Sequence, residues 1–190
     1  LNLGTSVTGT LAPLQISGGT LNLNTSSAVS TPSVTLTGGA LGGTGDLTIT
    51  GTFDVTGSSA TLSGTGTLTT LGTSSVNMAN ASGGYLYLQD GKTWVNRGVL
   101  NLAGDDYLYF TNATNTLVND TGATLNITTT STNPFSTGSG TTNVSNLGTL
   151  NYNTASGGTL NVTTLNNAGT LLASGTGGLT ICLLYTSDAA

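Results

Sequence analysis

The sequence predicts an all-β fold, a parallel β-helix (β-solenoid) of roughly eight coils with no cap at either end. Two observations carry this prediction. A phrase of the form Gly-x-Leu-Asn, followed by Leu, Ile or Tyr, returns along the chain at intervals of twenty-odd residues. Within each copy, apolar residues alternate with Thr, Ser and Asn, which is the period of a strand with one buried face. Repetition at this interval is typical of stacked β-rungs.

Four copies of the phrase align well, and each has an asparagine ahead of its glycine. When equivalent strands stack one coil above another, like residues form ladders. The asparagines are therefore interpreted as a structural amide ladder in which each side chain satisfies the next, a stability device rather than a ligand site. They are Asn96, Asn119, Asn146 and Asn167.

The clearest strand is the run from Asp46 to Thr56, in which apolar and hydroxyl-bearing residues alternate. Similar short runs follow one another along the chain, at residues 20–23, 34–36, 67–69, 85–88, 107–110 and 159–162. Glycine pairs separate many of them, and no segment favours a helix. The predicted core comprises Leu47, Ile49, Leu100, Leu102, Leu125, Leu150, Leu160 and Leu171.

Two features interrupt this regular pattern. The three prolines, Pro13, Pro32 and Pro134, are predicted to lie between strands, because proline cannot donate a hydrogen bond to a sheet. The segment from Thr128 to Ser139 lengthens one coil, so we expect it to bulge from the rod.

Composition excludes several classes of function. Charged residues make up 5% of the chain and the formal net charge is −5, with only two basic residues. A nucleic-acid interface needs a cluster of Lys and Arg, so no nucleic-acid partner is expected. No apolar run reaches the roughly 18 residues of a membrane helix, so this segment is not expected to insert directly into a membrane.

The two ends of the chain are interpreted differently. The first residue is not Met and no basic, then apolar, leader follows it, so the array is expected to be an internal fragment spanning residues 1–181. Residues 182–190 break both the alternation and the composition, and they resemble a translated sequencing adapter. We predict that these nine residues are a non-native tail. The single cysteine, Cys182, belongs to that tail.

One resemblance follows from the runs Gly45–Phe53, Thr93–Leu102 and Asn167–Leu171. They resemble the β-helical repeat regions of large bacterial surface proteins, the filamentous-haemagglutinin-like and autotransporter-type passenger adhesins. The resemblance covers most of residues 40–175. It implies an extracellular location on the bacterial cell surface and a structural or adhesive stalk, with glycans or the surfaces of host or neighbouring cells as partners.

The residues offer little for catalysis. The sequence has no His and no Glu, and its only cysteine lies in the suspected tail. A polysaccharide-active β-helix enzyme stays open as an alternative, since such enzymes use converging carboxylates. However, Asp46 and Asp54 are far apart along one strand unless the chain turns at Gly51, and Asp105 and Asp106 are predicted to lie in a solvated loop. We therefore expect no catalytic residue, no cofactor and no metal site.

The tyrosines offer the main candidate for binding. Tyr85 and Tyr87 recur 22 residues later as Tyr107 and Tyr109. If the intervening leucines face the core, the four rings face outward as a two-by-two platform on neighbouring coils. Exposed aromatic rings beside hydroxyl groups suit sugars, which have an apolar face and a polar edge. A glycan-binding platform is one interpretation, and cross-coil packing that stiffens the rod is the other.

Overall fold

The computed structural model describes residues 1–78 and 83–183, and within them the only helices or strands are β-strands. Every strand pairing in this part is parallel, and the strands stack into a β-solenoid of about eight turns. The predicted fold class is confirmed. Nothing in the described ranges has the length and hydropathy of a membrane-spanning helix.

Each turn of the solenoid contributes strands to three stacks. Stack 1 is a sheet of nine strands. Its members are β1 (Asn2–Leu3), β4 (Thr20–Leu23), β6 (Ala40–Gly42), β8 (Ser59–Ser63), β11 (Tyr85–Gln89), β14 (Tyr107–Thr111), β17 (Phe135–Thr137), β20 (Gly158–Val162) and β23 (Leu179–Leu183).

Stacks 2 and 3 form one continuous sheet, because two long strands, β5 (Val29–Leu36) and β7 (Leu47–Val55), run through both. The rest of stack 2 is β2 (Gly9–Thr10), β9 (Thr67–Thr70), β12 (Thr93–Asn96), β15 (Thr114–Asn119), β18 (Thr141–Asn146) and β21 (Thr164–Asn167). The rest of stack 3 is β3 (Leu14–Ile16), β10 (Thr73–Val76), β13 (Val99–Leu102), β16 (Thr124–Ile127), β19 (Thr149–Tyr152) and β22 (Thr170–Ala173).

The core forms because alternate residues of each strand point into the rod. In β11 and β14 the leucines and Phe110 are buried, and the residues between them are half-buried on the outer face. Equivalent inward residues stack on one another, so that Leu68, Trp94 and Leu117 lie in one column. Burial of such apolar columns is the main favourable term for this fold.

Seven of the eight predicted core residues are buried. Leu171 is the exception, since it is half-buried and only packs against the edge of the core. The reason is its position in β22, the last described strand of stack 3, which has a partner on one side only. Its equivalent one turn earlier, Leu150, has a strand on both sides and is 1% exposed.

The corner between stacks 2 and 3 corrects the prediction for Pro32. This proline lies within β5, not between strands, and the register shifts between Thr31 and Ser33. A proline fits there because the bulge removes the need for an N–H in the ladder. In most later turns a glycine occupies the same corner, whereas the longer corner of residues 120–123 has Ala123 in the place of Gly98. A Cβ on Gly98 would lie 2.0 Å from the carbonyl oxygen of Gly72, so no side chain fits.

The predicted bulge at residues 128–139 is wrong in its second half. Phe135 begins β17, pairs with Leu108 in stack 1 and is fully buried. At the start of the segment, the backbone N–H groups of Thr128 and Thr130 also donate to Leu102 and Gly104 of the preceding coil. At the end of the chain, Cys182 and Leu183 lie in β23 and pair with β20. Residues 184–190 lie outside the described residues, so the assignment of 182–190 as a tail stays a prediction.

Candidate functional site

The four tyrosines of β11 and β14 form a cluster on the outer face of stack 1, here called the tyrosine platform. Tyr85 pairs with Tyr107 and Tyr87 pairs with Tyr109 in the parallel register. Leu86 and Leu108 between them point inward and are fully buried, so the four rings lie on the opposite face. The sheet thus brings all four candidate binding residues together.

The rings contact one another both along and across the strands. Ring centroids are 5.4 Å apart for both pairs that join neighbouring coils, Tyr85 with Tyr107 and Tyr87 with Tyr109. Within β11 the two rings are 5.1 Å apart and within β14 they are 6.5 Å apart. Interplanar angles range from 45° to 84°, so the rings are inclined to one another and do not form a flat surface.

The phenol groups of Tyr87 and Tyr107 stay neutral at ordinary pH. Partial burial, followed by the neighbouring tyrosines, raises the pKa of Tyr87. The same two causes raise the pKa of Tyr107. A neutral phenol can both donate and accept a hydrogen bond, while its ring offers an apolar surface. The platform therefore combines apolar area with uncharged polar groups.

Tyr109 leans towards the next coil. A Cβ on Gly138 would lie 2.6 Å from the Tyr109 hydroxyl oxygen, so the absence of a side chain at this glycine makes room for the phenol. Ser136, the partner of Tyr109 in β17, lies beside it with a half-buried side chain. The platform therefore continues into a polar surface on the following coil.

A shallow cavity of about 220 Å³ adjoins the platform on that coil. Tyr107, Ser131, Asn133 and Ser136 line it. The Asn133 side-chain oxygen accepts a hydrogen bond of 2.9 Å from Asn161 Nδ2. The backbone N–H of Asn133 donates to Ser131 Oγ. These polar residues were missed at the sequence level, where the whole segment was assigned to a bulge. The pairing of Tyr109 with Ser136 is the signal that places them here.

The asparagine ladder lies at the corner between stacks 2 and 3. Asn96 Nδ2 donates to Asn119 Oδ1 at 2.9 Å, Asn119 to Asn146 at 2.7 Å, and Asn146 to Asn167 at 2.7 Å. The first three side chains are buried, whereas Asn167 is exposed at the last turn. Each buried amide also donates to a main-chain carbonyl, such as that of Thr149. The three buried amides are satisfied internally and present no free group to a ligand.

A second amide ladder, which the sequence reasoning missed, lies on the outside of stack 3. Asn126 donates to Asn101 at 2.9 Å and Asn151 donates to Asn126 at 3.0 Å. These residues line an open groove of about 360 Å³. The signal was present in the sequence, because the Asn of each Gly-x-Leu-Asn phrase occupies this position.

The six aspartates among the described residues do not converge on a reactive centre. The prediction of a solvated loop is wrong for Asp106, which is fully buried and accepts hydrogen bonds from the backbone N–H groups of Met78 and Gly84. Burial raises the pKa of Asp106, and these N–H groups oppose that shift. Asp105 accepts from Gly83 in the same way. Asp106 therefore fixes the backbone on both sides of residues 79–82, and Asp105 fixes it at Gly83 only.

Two basic residues complete the charge distribution. Arg97 forms an exposed ion pair with Asp120 at 2.9 Å. Lys92 is 5% exposed, and its Nζ donates to the carbonyl oxygen of Gly66 at 2.7 Å. Burial lowers the pKa of Lys92 to about 8, and the charge of Asp46 partly opposes this. Across residues 1–78 and 83–183, no group of three or more His, Cys, Asp or Glu side chains could hold a metal ion.

Comparison with protein-family models, with curated proteins and with solved structures found no match to this chain. The fold and the geometry of its surface are therefore the basis for a functional conclusion. They define the class of protein as an all-β parallel solenoid built from repeats.

Proposed function

We propose that this chain is a non-catalytic, rod-forming stalk segment of an exported bacterial surface protein. The observation that carries the proposal is the parallel stacking of strands from one turn to the next, with apolar and asparagine ladders inside the rod. In such an array each repeat contacts only its neighbours, so length can be added without altering the design. At about 4.8 Å per turn, the described turns make a rod about 40 Å long.

The polar groups that could serve catalysis have structural roles in this proposal. Asp106 binds backbone N–H groups, Asp120 pairs with Arg97, and Lys92 binds a backbone carbonyl. The resemblance to adhesin repeats supports an extracellular location. The hydroxyl-rich exterior supports a role at the cell surface, because it is uncharged over most of its area.

Surface labelling of the source organism tests this proposal. Antibodies raised against the purified chain are expected to label intact cells, and proteinase K added to intact cells is expected to remove the signal. A cytosolic marker serves as the control for cell lysis. Antigen that is found only in the cytosolic fraction would contradict the proposal. Turnover of any member of a broad polysaccharide panel would contradict its non-catalytic part.

A second candidate function is carbohydrate binding at the tyrosine platform. The specific observation in its favour is that four aromatic rings gather on one outer face, next to a cavity lined by Ser131, Asn133 and Ser136. Aromatic rings pack against the apolar faces of sugars, and the surrounding hydroxyl and amide groups can bind sugar hydroxyls. The adhesive part of the proposed stalk would then lie on stack 1.

A double substitution separates adhesion from stiffening. Replacing Tyr87 and Tyr109 together by Ala is expected to weaken binding on a glycan array while the protein stays folded, because cross-strand pairs contribute roughly 0.2 to 1 kcal/mol each. Thermal unfolding of both proteins is the control. If the melting temperature falls and binding to the array does not change, the tyrosines only stiffen the rod.

A further inference from the structure

We infer that the tyrosine platform and the adjoining cavity form one elongated site for a single chain of a neutral oligosaccharide, which lies parallel to the rod axis. This inference rests on the second candidate function and specifies its ligand. The site runs across three successive coils, β11, β14 and the coil of β17. Four features of this surface support the inference: the direction in which it runs, its shape, the polar groups at one end, and its charge.

The direction of the site follows from the stacking of the strands. Neighbouring coils are about 4.8 Å apart, which is close to the length that one pyranose residue adds to an extended oligosaccharide. Tyr85 and Tyr107 lie above one another along the rod, and the cavity continues the same line beyond Tyr107. Each sugar residue of a chain along the axis therefore faces one coil. At least two sugar rings lie on tyrosines, and the next sugar residue lies at the cavity.

The shape of the platform selects a single chain over a crystalline surface. A flat polysaccharide crystal needs coplanar aromatic rings, so that all of them contact one plane. Here the two pairs across coils are inclined by 45° and 84°. Inclined rings fit the sides of one flexible chain, whose successive sugar residues are turned relative to one another.

The cavity supplies the polar end of the site. Asn133 is exposed, and its Oδ1 is held by Asn161 Nδ2 at 2.9 Å. This contact orients the amide, while its own Nδ2 group makes no hydrogen bond to any of the described residues. Ser136 Oγ likewise has no hydrogen-bond partner among the described residues and lies beside Tyr109. An oriented amide and a hydroxyl group next to an aromatic ring are suited to bind sugar hydroxyls.

The charge of this face selects a neutral ligand. The five consecutive strands β8, β11, β14, β17 and β20 contain no Asp, Glu, Lys or Arg. Recognition of a carboxylate or sulfate group normally uses Arg or Lys, and the described part of this face offers neither. Apart from the buried Asp106, the nearest charged side chains in sequence are Asp90 and Asp105, which are acidic and would repel an anionic sugar.

Calorimetric titration of the intact chain tests the inference. The probes are soluble neutral oligosaccharides of two to six residues, namely cello-, malto-, manno- and chito-oligosaccharides, together with oligogalacturonates as the acidic series. For at least one neutral series, we expect affinity to rise from the disaccharide to the tetrasaccharide and then level off. Oligogalacturonates and microcrystalline cellulose are expected not to bind.

A matched pair of variants locates the cavity end. Asn133→Ala is expected to weaken tetrasaccharide binding about fivefold, which corresponds to one lost hydrogen bond of about 1 kcal/mol. Disaccharide binding is expected to change less. Asn166→Ala is the control, because Asn166 is also exposed but lies in β21 of stack 2. Thermal unfolding of both variants checks that the fold is retained.

The possible outcomes separate this inference from the candidate function. If oligosaccharides bind and the Tyr87 and Tyr109 double variant abolishes binding, but Asn133→Ala equals Asn166→Ala, the elongated site is refuted and carbohydrate binding stands. Preferential binding of the acidic series or of cellulose also refutes the inference alone. If no carbohydrate of any class binds, the candidate function fails and the inference fails with it.

Discussion

The interior asparagine ladder offers the sharpest test of how this rod is stabilised, through the substitution Asn119→Ala. Asn119 Nδ2 donates to Asn146 Oδ1 at 2.7 Å and to the Thr149 carbonyl at 2.9 Å, and Asn119 Oδ1 accepts from Asn96 at 2.9 Å. Removing the amide leaves the Asn146 oxygen buried without its donor. Asn96 Nδ2 keeps two carbonyl partners, at Gly98 and Thr124.

The expected magnitude follows from these contacts. A lost hydrogen bond costs about 1 kcal/mol, and a buried polar group left without a partner costs about 1 to 3 kcal/mol. We therefore expect Asn119→Ala to lower the free energy of unfolding by about 3 to 5 kcal/mol. Asn167→Ala is the matched control, because this amide is exposed and Asn146 Nδ2 retains the Thr170 carbonyl. It should cost about 1 kcal/mol.

Urea unfolding followed by two probes measures the difference. Far-UV circular dichroism reports on the strands, and the single tryptophan, Trp94, reports on the core of the coil that contains Asn96. Repeat arrays can unfold in parts, so both probes are needed to see whether the coils separate. Equal losses of stability in Asn119→Ala and Asn167→Ala would refute the argument that burial gives the ladder its strength.

Three further substitutions test the core, the corner and the buried lysine. Leu150→Asp places an unpaired charge between two coils and is expected to cost about 5 kcal/mol, whereas Leu171→Asp at the half-buried edge should cost clearly less in the same urea titration. Gly98→Ala is expected to give little folded protein on size-exclusion chromatography, because its Cβ would lie 2.0 Å from the Gly72 carbonyl oxygen. Lys92→Met is expected to be more stable than the parent at pH 7. The gap in the free energy of unfolding between the two proteins should narrow as the pH rises through about 8 towards 9.5, because there the folded parent releases the Lys92 proton while the unfolded chain keeps it. A gap that does not change with pH would contradict this assignment.

Much of the fold could be predicted because each residue type in the repeat favours one position in the structure. The tyrosine pairs are separated by the same 22 residues, so equal spacing alone places them on neighbouring coils. The asparagine ladder is harder, since its steps are 23, 27 and 21 residues. It could still be proposed because the Asn and Gly keep their positions within the phrase while the connecting segments vary in length.

Other features could not be predicted because they depend on contacts between different coils. Proline is usually excluded from strand interiors, and Pro32 is tolerated only because a register shift coincides with a corner of the rod. Asp106 is buried because backbone N–H groups from the preceding coil surround it. Asn133 reaches the tyrosine platform because the chain returns to stack 1 at Phe135. The spacing of residues in the sequence does not show which residues of different coils meet in this way.

The division between interior and exterior explains why the tyrosine platform stands out. Inward residues and corner glycines are fixed by packing, since a Cβ or a charge there meets the next coil. Outward positions in the strands are mostly Thr, Ser and Asn, which fit the outer face of a strand and are compatible with solvent. The four tyrosines are therefore not needed for a coil to form, because β8 and β20 occupy equivalent positions in stack 1 and contain no tyrosine. A feature that the fold does not require, placed on its outer surface beside a polar cavity, is where a binding function should be sought first.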